Sequence, residues 1–190
     1  MRRAAVPLAV GAAFLWGVAE GTFFYVVADM LLTFVALRLG WRVGLAASLA
    51  AALGALCAGA YLWHLATTDP QAAFALLDAV PFIDPDRIER GSAAMNGADW
   101  PVAMFVGSLT GMPYKIFAVG AGETGIPLLL FLAVSLPVRL ARFIAATALA
   151  AAFGALTAPR LSPRAQTLAV ALFWLVFYGQ FWIRMAMRNS

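Results

Sequence analysis

The chain has 190 residues, of which 64% are hydrophobic and 12% charged. A soluble domain carries about 25% charged residues, so this composition excludes an ordinary water-soluble fold and makes a bilayer the natural solvent for one domain spanning 1–190. The net charge of +4 is spread along the chain at the edges of apolar runs and inside them, the pattern of positive membrane-flanking loops rather than of a nucleic-acid surface.

The first apolar run extends from Ala4 to Leu37 and contains Glu20 and Asp29. Its start, MRRAAVPLAVGAAFLWGVAEG, has the plan of a signal peptide. The apolar character continues past a cleavage point near Ala19, however, so a retained segment is preferred. Residues 43–68 carry no formal charge and meet the roughly 20 residues that a spanning helix needs. Its alanines and glycines, Gly54 and Gly59 among them, suit close helix packing in lipid. Cys57 is the one cysteine and His64 the one histidine. Together they exclude an internal disulfide and a His-built metal cage, and neither a metal nor a cofactor is expected.

Residues 67–99 hold six carboxylates against Arg87 and Arg90, with Asp-Pro turn signals at 69–70 and 84–85. An aqueous connector is expected, with a short helix around 71–79. A second interrupted run, Trp100 to Val138, contains Lys115 and Glu123. Residues 143–158, extended backward, and 165–184 are two more expected spans.

The two interrupted runs share a plan. Each has an apolar arm, a polar tip (20–29, then 110–125) and a second arm. Each is followed by an arginine pair, Arg38/Arg42 and Arg139/Arg142, and an Ala-rich span. This reads as an internal repeat, 4–66 and 100–158. Arms too broken to cross a bilayer suggest two re-entrant helical hairpins. The expected architecture is therefore all-α integral membrane, with two inverted hairpins and about three transmembrane helices. With residues 2–3, 38–42 and 160–164 cytoplasmic, the acidic connector lies outside. Arg184 and Arg188 then fall outside as well, against the positive-inside pattern.

Five ionisable residues lie within apolar sequence: Glu20, Asp29, Lys115, Arg139 and Arg142. At about 3 kcal/mol each near the bilayer centre, five facing lipid would cost about 15 kcal/mol, comparable with the 5–15 kcal/mol that stabilises a whole domain. They must pair, line a wet cavity or sit near the interface. Lys115, Arg139 and Arg142 suit a lipid phosphate, Arg as a planar donor fork and Lys as a point charge. Glu20 and Asp29 suit proton exchange, because desolvation favours the neutral acid. The structural alternatives are pairing of the acids with Lys115 or an arginine, and anchoring of Arg139 and Arg142 at an interface if Pro137 ends a helix there. Glu123 is expected to cap a helix or partner Lys115. Arg38 and Arg42 are expected topology anchors.

SLTGMPYKIFAVGAGETGIPLLLFLAVSLPVRLARF (108–143) resembles the second signature region of the DedA (VTT-domain) membrane proteins, in particular the short YqaA-like branch. The usual form there is close to F-T-P-I-P-F-K-V-F, a small-residue turn, G-M-P and R-x-x-A-R-F. Thr110, Pro113, Lys115, Gly122, Pro127, Arg139 and Arg142 fall in register. EGTFFYVVADMLL (20–32) resembles the branch's E-S-x-F-F-P-x-P-P-D region, with Glu20 and Asp29 on its two acids, and ALGALCAGAY (52–61) its glycine-rich element. The likeness covers roughly residues 15–155.

The resemblance implies facing re-entrant hairpins, a role in moving lipids as flippase or scramblase, proton coupling, and a bacterial cytoplasmic (inner) membrane. Membrane lipids and protons are the implied partners, with self-association into a homo-oligomer as a further option and no nucleic acid. Two departures stand out. Tyr25, Val27 and Ala28 replace expected prolines, and Leu109 stands where many members carry an arginine. A non-transporting scaffold or assembly factor is the alternative. No enzyme activity is expected, because no nucleophile has an evident base and GxSxG is absent.

Overall fold

The computed structural model describes residues 2–81 and 83–188, apart from the side chains of Arg2, Arg3, Phe181, Arg184, Met185, Ala186 and Arg188. The orientation argument drawn from those four arginines lies outside the described residues. Nine helices and no strand occur among the described residues: α1 (Arg2–Gly21), α2 (Asp29–Leu39), α3 (Trp41–Thr68), α4 (Pro70–Asp78), α5 (Pro85–Ala93), α6 (Trp100–Thr110), α7 (Tyr114–Glu123), α8 (Leu128–Thr157) and α9 (Pro163–Arg188).

Three stretches are long and apolar enough to cross a bilayer: Ala4–Gly21 in α1, and all of α3 and α8. The expected arm ending at Glu20 is thus a helix of spanning length rather than a broken one. α9 is helical for 26 residues; the expected span 165–184 includes side chains outside the described residues. Helices α2, α6 and α7 have 11, 11 and 10 residues. At 1.5 Å per residue each is only about 15–17 Å long, against about 30 Å of hydrocarbon.

The polarity is inverted relative to a soluble protein. Leu8, Leu15, Val102, Leu129, Leu149 and Leu172 stand at 60% exposure or more, while Glu20, Asp29, Lys115 and Arg139 are at 8% or less. Water would penalise that arrangement and lipid rewards it. The outer apolar faces and the three long helices mark a helical membrane protein.

Small residues decide how the helices approach. A methyl group added at Gly17 would collide with the Ala51 carbonyl, and one at Gly54 with the Phe14 carbonyl. α1 and α3 therefore touch backbone to backbone, the close packing that small residues permit in lipid. Gly59 of α3 meets the Tyr114 ring of α7 in the same manner.

The short helices cross between the halves. α2 packs on α8 and α7 packs on α3, while α3 and α8 pack on each other at the centre. Ser48 and Thr147 share a buried hydrogen bond of 2.8 Å at that contact. From Tyr114 to Gly122 every residue of α7 is buried, so this helix is the core of the molecule.

The connector is more structured than an aqueous loop. Its Asp-Pro pairs start helices instead of turns. Asp69 Oδ1 accepts from the Ala72 amide at 3.0 Å and Asp84 Oδ1 from the Arg87 amide at 2.8 Å, each with proline at the first helical position. Ala73, Leu77, Ile88 and Met95 then bury in the cluster around α7.

Candidate functional site

The break between α1 and α2 falls at residues 22–28, inside the expected tip. Trp16 Nε1 donates to the Val26 carbonyl at 3.0 Å, and the Val27 amide donates to the Tyr178 hydroxyl of α9 at 2.9 Å. These bonds satisfy backbone groups that have no helical partner. Glu20 closes α1 and Asp29 opens α2, which puts both carboxylates at the mouth of one bend.

The second tip is far shorter than the expected 110–125. Gly111 takes the left-handed conformation, φ 86°, and the Met112 amide bonds the Gly107 carbonyl at 2.9 Å, a glycine helix stop. Pro113 is extended and α7 begins at Tyr114. The polar letters of TGMPYKIFAVGAGETG thus belong mostly to a helix, whose glycines serve packing. Lys115 sits in the first turn of that helix and Glu123 at its exposed far end, about 12 Å away at helical rise. Glu123 is therefore no partner for Lys115. Pro127 caps the start of α8, and Gly122 presses on the Trp63 carbonyl of α3.

The two arginine pairs aligned in the sequence occupy different structural positions. Arg38 and Arg42 flank the break at Gly40 and are exposed; Arg38 Nη1 bonds the Pro163 carbonyl at 3.1 Å and Thr167 Oγ1 at 3.3 Å. Arg139 and Arg142 lie within α8, which runs unbroken through Pro137. Pro137 does not end the helix, so the interfacial placement that depended on it does not arise.

Arg139 and Arg142 each meet one acid of the first half. Arg139 Nη2 lies 2.9 Å from Glu20 Oε1, with side-chain exposures of 3% and 9%. Glu20 Oε2 accepts from the Ala28 amide at 2.9 Å. The Arg139 guanidinium also lies over two rings, 4.6 Å from the centre of Phe143 and 5.0 Å from that of Tyr114. Such contacts contribute about 2 kcal/mol when desolvated. One helical turn on, Arg142 Nε and Nη2 both bond Asp29 Oδ2, the former at 2.8 Å, and Nη1 donates to the Ser108 carbonyl at 3.0 Å.

Lys115 differs from both. It is 2% exposed, and its Nζ donates to the Phe24 carbonyl at 2.9 Å. Its hydrogen-bond partner is a neutral dipole and not a carboxylate.

Glu20, Lys115, Arg139 and Arg142 line one cavity of about 290 Å³. Thr110 and Pro113 of the second tip, Tyr178 and Phe177 of α9, and Arg87 of the connector are among the other residues of the wall. Asp29 reaches the site through Arg142. Asp29 Oδ1 and Arg139 Nε have no hydrogen-bond partner among the described residues.

The contributions of Tyr114, Tyr178 and Arg87 were not visible in the chain. Aromatic residues in apolar runs read as packing, and nothing local links Val27 to a hydroxyl 151 positions away. No protein-family model, curated protein or solved structure matches this chain.

Proposed function

We propose that this protein moves an anionic lipid head across the bilayer, in the manner of a flippase or scramblase, through the cavity between its two bends. The observation that carries the reading is the joint wall: charged side chains from α1, α7 and α8 share one cavity in the interior of a molecule whose outside is apolar. Desolvating them costs several kcal/mol per ion, and stability alone gives little reason for it. Intramembrane ionisable groups mark transport pathways by default.

On this reading α2, α6 and α7 are arms of re-entrant hairpins, since each is too short to cross alone. The hairpins are inverted halves of a DedA/VTT-like fold in a bacterial cytoplasmic membrane. Lys115, Arg139 and Arg142 receive the phosphate, and Glu20 and Asp29 carry protons, releasing the arginines when neutralised. Support comes from the positions of these five residues and from the motif resemblance over 108–143.

The test is lipid translocation in proteoliposomes, with and without a pH gradient, for the wild type and for Glu20→Gln, Asp29→Asn and Lys115→Ala. Unchanged rates in all three variants would sink the mechanism. A second reading, a scaffold without transport, is favoured by one observation: both acids are already paired with arginines. Under it the charge-neutralising variants keep their cellular function, and bulky substitutions on the glycine faces lose it.

A further inference from the structure

The charges around the cavity do not cancel. Glu20 offsets Arg139 and Asp29 offsets Arg142. Two cations on the same wall have no such partner. Lys115 bonds the neutral Phe24 carbonyl. Arg87, on the first turn of α5, has no side-chain ion pair or hydrogen bond among the described residues; the bond to Asp84 uses its backbone amide. Arg87 is half-buried and Lys115 buried, so the two stand at different depths of the cavity. Arg87 comes from the connector, while Leu109 at the end of α6 is 64% exposed and is not part of the cavity wall.

We propose that Arg87 is the charge selector of this cavity: with Lys115 it makes a two-cation site that prefers a doubly charged phosphate monoester over a singly charged diester. A terminal phosphate carries about −1.5 to −2 at neutral pH, and three acceptor oxygens. Guanidinium binds such a group through paired donors and ammonium as a point charge. A diester head has one charge, so it satisfies Lys115 and leaves Arg87 uncompensated. This inference rests on the transport reading above for its ligand class, and it adds the residue that sets the charge of the head.

The experiment uses the full chain in phosphatidylcholine nanodiscs at about pH 7, above the second phosphate ionisation. Labelled phosphatidic acid is the monoester probe and phosphatidylglycerol the diester probe; inorganic phosphate is added as competitor. The wild type is expected to bind the monoester lipid at least about tenfold more tightly, one ion pair's worth of discrimination. Arg87→Gln is expected to bring that ratio to within about threefold while leaving diester binding within about twofold, and Arg87→Lys to keep most of it. A ratio unchanged by Arg87→Gln overturns the selector role while leaving transport standing. Failure of the wild type to bind either lipid removes the transport reading and this inference with it. Inorganic phosphate competing as well as the monoester lipid would keep Arg87 as selector and make the free ion the ligand.

Discussion

Glu20 and Arg139, 119 positions apart in sequence, lie 2.9 Å apart in the interior, and their ion pair ties the bend of the first half to the long helix of the second. One turn along α8 the Asp29–Arg142 pair repeats the arrangement. The two pairs join the first bend to α8 at the cavity, so any movement of that bend along α8 must break or exchange them.

Removing one member of the first pair strands the other in a buried site. Glu20→Gln or Arg139→Gln alone is expected to destabilise the protein by about 3–5 kcal/mol, the usual result of an uncompensated buried charge. The double variant Glu20→Gln/Arg139→Gln is expected to recover at least half of that. A double-mutant cycle of unfolding in mixed micelles reads the coupling; additive losses would show that the 2.9 Å contact carries no interaction energy.

Lys115 is expected to behave in the opposite way. Its ammonium is buried against a neutral carbonyl, so Lys115→Met removes a desolvated charge and leaves one carbonyl without that donor. Stability is expected to stay within about 1 kcal/mol, near the worth of one hydrogen bond, while lipid translocation falls at least about tenfold. A variant that unfolds readily, or that transports normally, contradicts the assignment of Lys115 to the ligand.

The helix contact between α1 and α3 makes a prediction free of electrostatics. Gly54→Ala forces a methyl group onto the Phe14 carbonyl, whereas Gly11 has nothing within 4 Å of an added Cβ. Gly54→Ala is expected to cost about 1–3 kcal/mol, the range of overpacked cores, and Gly11→Ala nothing or less than nothing because alanine favours the helix. Thermal unfolding of the two variants in one detergent gives the comparison. Equal midpoints would mean that the helices are not in backbone contact.

How far the chain disclosed this arrangement depended on the kind of signal. Charges inside apolar runs are conspicuous because lipid makes them costly, and Glu20, Asp29, Lys115, Arg139 and Arg142 were all found that way. Composition likewise revealed the all-helical membrane character and the spanning length of α3, whereas α8 fuses the expected second hairpin arm, up to Val138, with the expected span 143–158 into one helix. The tip lengths were misjudged. Glycine and threonine read as turn residues, yet in α7 Gly120 and Gly122 sit in a buried helix against Met95 and Trp63. The Asp-Pro pairs were ambiguous because proline suits both a turn and the first position of a helix. The partners Tyr178 and Arg87 are set by tertiary packing alone, and their own neighbourhoods carry no trace of it.

Tyr178 offers the last test, because its hydroxyl holds the first bend from a distance. The Val27 amide donates to it at 2.9 Å, and Trp16 and Glu20 bond the same stretch at Val26 and Ala28. Tyr178→Phe keeps the ring, which stacks on Trp174 at 5.9 Å between centres, and deletes only the acceptor. A half-buried amide left without a partner costs about 1–3 kcal/mol, and water entering the bend limits that loss. The expected result is a modest fall in stability with a large local effect: amide exchange at residues 22–28 accelerates at least about tenfold, and exchange in α3 and α8 is unchanged. If the bend needs this anchor to present Glu20 and Asp29 to the arginines, translocation slows in the same variant. Protection at Val27 that survives Tyr178→Phe would mean that α9 does not hold the bend through this bond.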